Sequence, residues 1–309
     1  MSRDMITPPA GFGTGSTAPE GEDNLQYLVM PSGIRIYEQC VPEWSRLFER
    51  AEETDLALAY LLALSEGASS WKRGQNLLFK REGLNTAQNV FINDALGEGE
   101  VAIVLEDSTK RIEIQETIFA GVWSLRGFSR VENKGNKKET FLHQQEEISS
   151  FPRVVLTRVF AGMSAQMPDI SPNISPNISP SSGVVNAPSI IVEILEHSRS
   201  WKAGALPHII NLTLLPHTPE DLEMIERVLG RGRVKILSRG YGNCRIESTA
   251  VPHVWRVRYF NSVETLILDT IEISEVPEVA CAAVEDIADS AERLAEIYDV
   301  LRREVEETK

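Results

Sequence analysis

Cysteine is the first scarcity: three in 309 residues, Cys40, Cys244 and Cys281, far apart along the chain. An odd count with no close pair argues against a disulfide framework and supplies no Cys-x-x-Cys clamp for zinc. No apolar run approaches the roughly 18 residues that mark a membrane span. The start, Met1-Ser2-Arg3-Asp4, has neither the charged-then-apolar order of a secretion signal nor the paired arginines of a Tat signal. A cytoplasmic protein without a membrane anchor is therefore expected. Basic charge is short as well, 31 Lys+Arg against 45 Asp+Glu, a formal net charge of −14. A polyanionic nucleic acid is a poor partner for such a chain unless a basic stripe is held apart, and the densest basic run, Lys134 to Lys138, is short and reads as a turn.

Catalytic and metal-binding patterns are missing too. The five histidines, His143, His197, His208, His217 and His253, show no H-E-x-x-H spacing and have no cysteine within a few residues. There is no Gly-x-Ser-x-Gly, and Cys244, in Gly240-Tyr241-Gly242-Asn243-Cys244, reads as part of a hairpin turn rather than as a nucleophile. Nothing here asks for a cofactor or a metal, and none is expected.

What is present is ample apolar material, 42% hydrophobic against 25% charged residues, enough for a sizeable core. Residues 1–24, rich in Gly, Pro, Ser and Thr, read as a flexible tail. Between 161 and 187 the chain turns low-complexity: Ser171-Pro172-Asn173-Ile174 repeats at Ser175 and opens again at Ser179. Proline at every fourth residue blocks helices and ladders, so this is a linker. It separates a first repeat domain, 25–160, from a second, 188–309.

The two parts resemble each other. Ile92-x-x-x-Leu96-Gly97-x-Gly99-x-Val101-x-Ile103 recurs as Ile225-x-x-x-Leu229-Gly230-x-Gly232-x-Val234-x-Ile236, and Asn85 and Gln88 match Thr218 and Asp221 at the same offset. Thr117 and Val122-Trp123 correspond to Thr249 and Val254-Trp255, and Trp71-Lys72-x-Gly74 to Trp201-Lys202-x-Gly204. A duplication sets the architecture. We expect an α+β fold of two related copies, each with helices and a mainly antiparallel sheet. In the second copy Ile190 to His197 reads as helix and His208 to Leu215 as a buried strand. Thr218-Pro219-Glu220-Asp221 opens a capped helix. Four strands follow, over 234–237, 245–250, 254–260 and 265–273.

The acidic charge is concentrated: Glu264 to Lys309 holds 14 acidic and 4 basic residues. The last helix carries a narrow apolar seam, Val284, Ile287, Ala291, Leu294, Tyr298, Leu301 and Val305, which must pack on the chain's own sheet or on a partner helix. Glu285, Asp286 and Asp289 near its start suit the positive helix end without any metal. Gly97-x-Gly99 and Gly230-x-Gly232 follow helices instead of opening them, so they are C-caps and not phosphate loops. His253 and Trp255, two apart on an expected strand, share one face.

HIINLTLLP at His208, GYG around Tyr241, HVW at His253, ISEVPEV ending at Val279 and AAVEDIADSAERLAE from Ala282 resemble the C-terminal region of the HupH/HyaF family of [NiFe] hydrogenase expression proteins. FINDALGEGEV at Phe91 and EIQETIFAGVW at Glu113 resemble its first copy, and Tyr27 to Pro42 also fits. The resemblance implies a non-catalytic helper in uptake-hydrogenase maturation. It would attend the iron–sulfur small-subunit precursor before Tat export, beside a thioredoxin-like HupG/HyaE companion. His208, Asn211, Tyr241, His253, Trp255, Glu285, Asp286 and Asp289 are the residues offered for partner binding. The competing readings are a transient metal or iron–sulfur carrier, which needs the cysteines to converge with a histidine, and an unrecognised enzyme, which needs a polar cleft with shifted titratable groups.

Overall fold

The computed structural model describes residues 55–133, 136–163, 183–240 and 242–308. The 1–24 tail, the Tyr27–Pro42 segment with Cys40, Tyr241 and most of the 161–187 linker lie outside the described residues.

The first copy runs α1 (Asp55–Ser70), β1 (Leu77–Lys80), α2 (Thr86–Leu96), β2 (Val101–Glu106), β3 (Lys110–Glu116), β4 (Val122–Asn133), β5 (Asn136–Ile148) and a short α3 (Arg153–Arg158). The second repeats the order as α4 (Ala187–Ser200), β6 (His208–Asn211), α5 (Pro219–Leu229), β7 (Val234–Ser238), β8 (Asn243–Ser248), β9 (Val254–Phe260) and β10 (Leu266–Ile273). A 3₁₀ turn at Glu278–Ala280 stands where α3 stood, and α6 (Val284–Thr308) closes the chain.

All ten strands form one sheet in the order β1-β5-β4-β3-β2-β7-β8-β9-β10-β6, every neighbouring pair antiparallel. Reading outward from the β2·β7 pair, each strand meets its own counterpart at the same distance. At the centre Ile103 pairs with Ile236, its repeat-mate. An antiparallel pair in which a residue faces its own equivalent is the signature of a two-fold axis, here a local one between copies.

The matched helix starts have matched bonds. Asn85 Oδ1 accepts from Gln88 N–H at 2.8 Å while Gln88 Oε1 accepts from Asn85 N–H at 2.9 Å. Thr218 Oγ1 accepts from Asp221 N–H at 3.1 Å, and Asp221 Oδ2 from Thr218 N–H at 3.0 Å. These are reciprocal capping boxes. The helix-ending Gly97 and Gly230 take φ of 58° and 62°, the left-handed region that glycine enters cheaply. The second glycine of each pair serves close approach: a methyl on Gly99 would lie 2.1 Å from the Thr117 carbonyl oxygen.

Alternate residues of the six central strands, among them Ile103, Leu125, Ile236, Trp123 and Trp255, pack into one core with Val155 and Val159 of and beside α3 and Ala280 of the 3₁₀ turn. Helices cover the rest. α4 and α5 pack with Val254, Ile271 and Ile273. α1 and α2 pack with Phe119, Val122 and Ile148. The same cluster takes in Ala291, Leu294, Leu301 and Val305 of α6. The seam of the last helix is thus filled from within the chain, by α1 of the first copy.

Three local expectations are corrected. The 208–215 string is not a buried strand: β6 holds only its first four residues, and Ile209, Leu214 and Leu215 are exposed. Asn211 ends β6 by accepting the Leu214 N–H through its backbone and side-chain oxygens, which turns the chain away. Cys244 is not in a turn but within β8, buried in the central core. His253 is not on a strand; it sits in the turn entering β9 at φ 63°.

Candidate functional site

The residues that could recognise something converge around the C-terminal half of α4. Glu193, His197 and Trp201 are spaced four apart, so the helix and the residue that ends it present them along one side. His197 stacks on His208 of β6, ring centroids 3.5 Å apart and 7° from parallel. His208 Nε2 lies 2.8 Å from Glu193 Oε1. Trp201 stacks on His253 at 3.6 Å and 16°. Phe160 packs against both His253 and Trp255, centroids 5.3 and 5.5 Å away. Ser198 Oγ donates to the Pro252 carbonyl at 2.7 Å, pinning the helix to the turn that carries His253.

That turn is the clearest divergence between copies. Thr117 and Thr249 brace their turns alike, each accepting a backbone N–H two residues on, from Phe119 and Val251. Each turn also accepts a serine N–H at 2.9 Å, Ser149 on the Gly121 carbonyl and Ser274 on that of His253. Gly121 takes φ 78° without a side chain to strain. Histidine in the same conformation is uncommon and costs on the order of 1 kcal/mol or more. Burial pushes the His253 imidazole below the usual histidine value, so it stays neutral more readily.

Four buried polar atoms lie in this part of the second copy without a hydrogen-bond partner among the described residues: Trp201 Nε1, His253 Nδ1, Trp255 Nε1 and Ser274 Oγ. The first copy satisfies the same indoles. Trp71 Nε1 donates to the Gln75 carbonyl and Trp123 Nε1 to that of Ser149, both at 2.9 Å. Bonded in the first copy and without a protein partner in the second, the indoles are a further difference between the copies.

A second feature adjoins it. β6 is an edge strand, and Ile209 on it is exposed, as are Leu206, Leu214 and Leu215 around it and Leu266 and Ile267 at the start of β10. Apolar side chains grouped at a free strand edge mark an interaction surface.

Of the residues expected to bind a partner, His208 and Asn211 lie on β6, and α4 brings His208 into the same region as His253. Trp255 is fully buried and offers no surface. Tyr241 lies outside the described residues. Glu285, Asp286 and Asp289 are exposed, but on the helix that packs against the first copy. Cys244 and Cys281 both border the central core, and burial pushes both thiols up to about 12. Sequence reasoning missed Glu193, Phe160, Trp201 and Ser274. The four-residue Glu193/His197 spacing was a visible signal, but the third member, His208, joins only through the fold.

Comparison with known proteins closes the question of kinship. The family model described as the C-terminal conserved region of the HupH hydrogenase expression protein matches residues 61–159 and 184–301, one stretch in each copy. A hydrogenase expression/formation protein HupH of Rhodobacter capsulatus is 41% identical, over 98% of this chain and all of that one. The HupQ protein of Azotobacter chroococcum is 40% identical over 95% and 97% of the two chains, and the hydrogenase-1 operon protein HyaF of Escherichia coli 34% over 69% and 70%. A solved structure, the hydrogenase expression protein HupH of Thiobacillus denitrificans, is 31% identical, covers 36% of this chain and 92% of its own, and has a TM-score of 0.34. The chain belongs to the HupH family of hydrogenase expression proteins.

Proposed function

We propose that this protein serves [NiFe] hydrogenase maturation as a dedicated, non-catalytic chaperone that binds the iron–sulfur small-subunit precursor before its export. The relatives are named for hydrogenase expression and formation, which supplies the process. The observation that carries the binding role is the exposed apolar rim of the β6 edge, Leu206, Ile209, Leu214 and Ile267. A partner that has not finished folding presents apolar segments, and an edge strand accepts an extended one through backbone bonds. Such binding belongs in the cytoplasm, and no helix among the described residues is long and apolar enough to cross a membrane.

Charge has a supporting part, and a smaller one than the sequence suggests. Asp269 is paired with Arg256 at 2.7 Å and Glu264 with Arg245, so these two carboxylates are neutralised in place. Exposed acid remains at Glu275 and Glu278 and on α6, at Glu285, Asp286, Asp289, Glu292 and Glu296. Exposed pairs with a basic export signal are worth under about 1 kcal/mol each, yet together they speed encounter at low salt. The test is binding of precursor with and without its signal peptide across a salt series. Full-length precursor should bind more tightly at low salt and lose that advantage once the Debye length shrinks to about 8 Å, leaving a salt-independent apolar remainder. Equal affinities with a flat salt response would remove the acidic face from the account, and no binding at all would remove the chaperone role.

A further inference from the structure

Glu193, His197 and His208 are three potential metal ligands whose donor atoms all lie within 4.8 Å of one another. From this geometry we propose a binding site for a single divalent transition-metal ion of the zinc type, built on the side of α4 and the start of β6. It does not depend on the chaperone reading. A tetrahedral ion with bonds of about 2.0–2.1 Å to imidazole and carboxylate holds its donors roughly 3.4 Å apart, a spacing these side chains reach by changing rotamer. His197 and His208 stand face to face, and because imidazole lone pairs lie in the ring plane, both rings must turn out of this stack to face one ion. Glu193 already meets His208 Nε2 at 2.8 Å, a contact the ion would replace.

The duplication supplies an internal comparison that a chance surface cluster would not. By the repeat register the first copy carries Ala63, Gly67 and Leu77 at the corresponding positions, none of them able to ligate. Three ligand-type side chains, from two elements, thus differ together between copies. They also stand in the same copy as the unpartnered indoles and the strained His253. Two imidazoles and one carboxylate are borderline donors that favour zinc, cobalt or nickel over magnesium or calcium. Three protein ligands leave the fourth position open. Glu193 and His197 are exposed and His208 half-buried, so water or a side chain of a bound protein can take it.

The experiment uses the full-length chain, without an affinity tag and stripped with a chelator. It is titrated with cobalt(II) and followed by visible absorption, and with zinc followed by calorimetry. One equivalent should bind with the strong d–d bands of a four-coordinate site, and zinc should raise the melting temperature. His197→Ala and His208→Ala should each lower affinity at least tenfold and abolish the thermal shift. His217→Ala, an exposed histidine elsewhere, should leave both unchanged. Circular dichroism of the metal-free variants separates loss of the site from loss of the fold. Absence of stoichiometric uptake by the folded wild-type chain, or uptake unchanged in both histidine variants, would overturn the proposal.

Discussion

Glu116 is a carboxylate in the wrong place for its charge. It is 8% exposed, accepts the Gly121 N–H at 3.1 Å, and has Glu100 and Asp286 among its neighbours. Burial first, and those two acids second, push it up to about 7. A carboxyl whose folded value is raised binds a proton the unfolded chain has already released. Its contribution is therefore favourable at low pH and is lost as pH rises from about 4.5 through 7. Replacing it by glutamine keeps an acceptor for Gly121 and removes the charge. Glu116→Gln should match the wild type near pH 5 and be more stable at pH 8, by on the order of 2 kcal/mol. Urea denaturation at the two pH values checks this, and a gain of equal size at both would show that ionisation is not the cause. Asp221 runs the other way. It is buried, but N–H groups of Ala187, Thr218, Val185 and Asn186 hold its carboxyl well below the usual range, fastening the start of α4 to the start of α5. Half of that arrangement, the capping box, was readable from Thr218 and Asp221. The other half was not, because it joins residues more than thirty positions apart.

At the scale of elements, helices were more legible than their neighbours. The apolar stripe of α6 shows which face is buried but carries no address for what buries it, and its partner turned out to be α1, at the far end of the described sequence. Leu301 is wholly buried and Leu294 nearly so in that contact. Leu301→Ala should cost about 2–5 kcal/mol through lost burial and a residual cavity. The denaturation midpoint should fall by the same amount at every protein concentration. A concentration-dependent midpoint would mean that the seam is completed by a second chain after all. The β6 string was misread for a related reason. An apolar run such as Ile209-Ile210-Asn211-Leu212 looks the same whether both faces are covered or one, and only the sheet order makes β6 an edge. Cys244 was displaced from its expected turn because glycines on its N-terminal side finish the turn two residues early.

For the whole molecule, the recurring Leu-Gly-x-Gly-x-Val pattern was enough to read two copies of one α+β unit. The local two-fold at Ile103 and Ile236, where the sheets fuse, needed coordinates. So did the divergence between copies, since a tryptophan donor is satisfied or orphaned only by what the fold brings to it. The first copy bonds its indoles, puts glycine in its turn and takes α6 onto its helices. The second leaves its indoles open and strains a histidine, while both copies expose an apolar edge strand, β1 in the first and β6 in the second. The central claim is that this second edge does the binding, and the duplication provides the control. Ile209 on β6 and Leu78 on β1 occupy equivalent edge positions and are 53% and 50% exposed. The decisive measurement is the affinity of Ile209→Asp and of Leu78→Asp for the small-subunit precursor at near-physiological salt. The account predicts at least a tenfold loss for Ile209→Asp and wild-type affinity for Leu78→Asp; equal losses, or none in either variant, would contradict it.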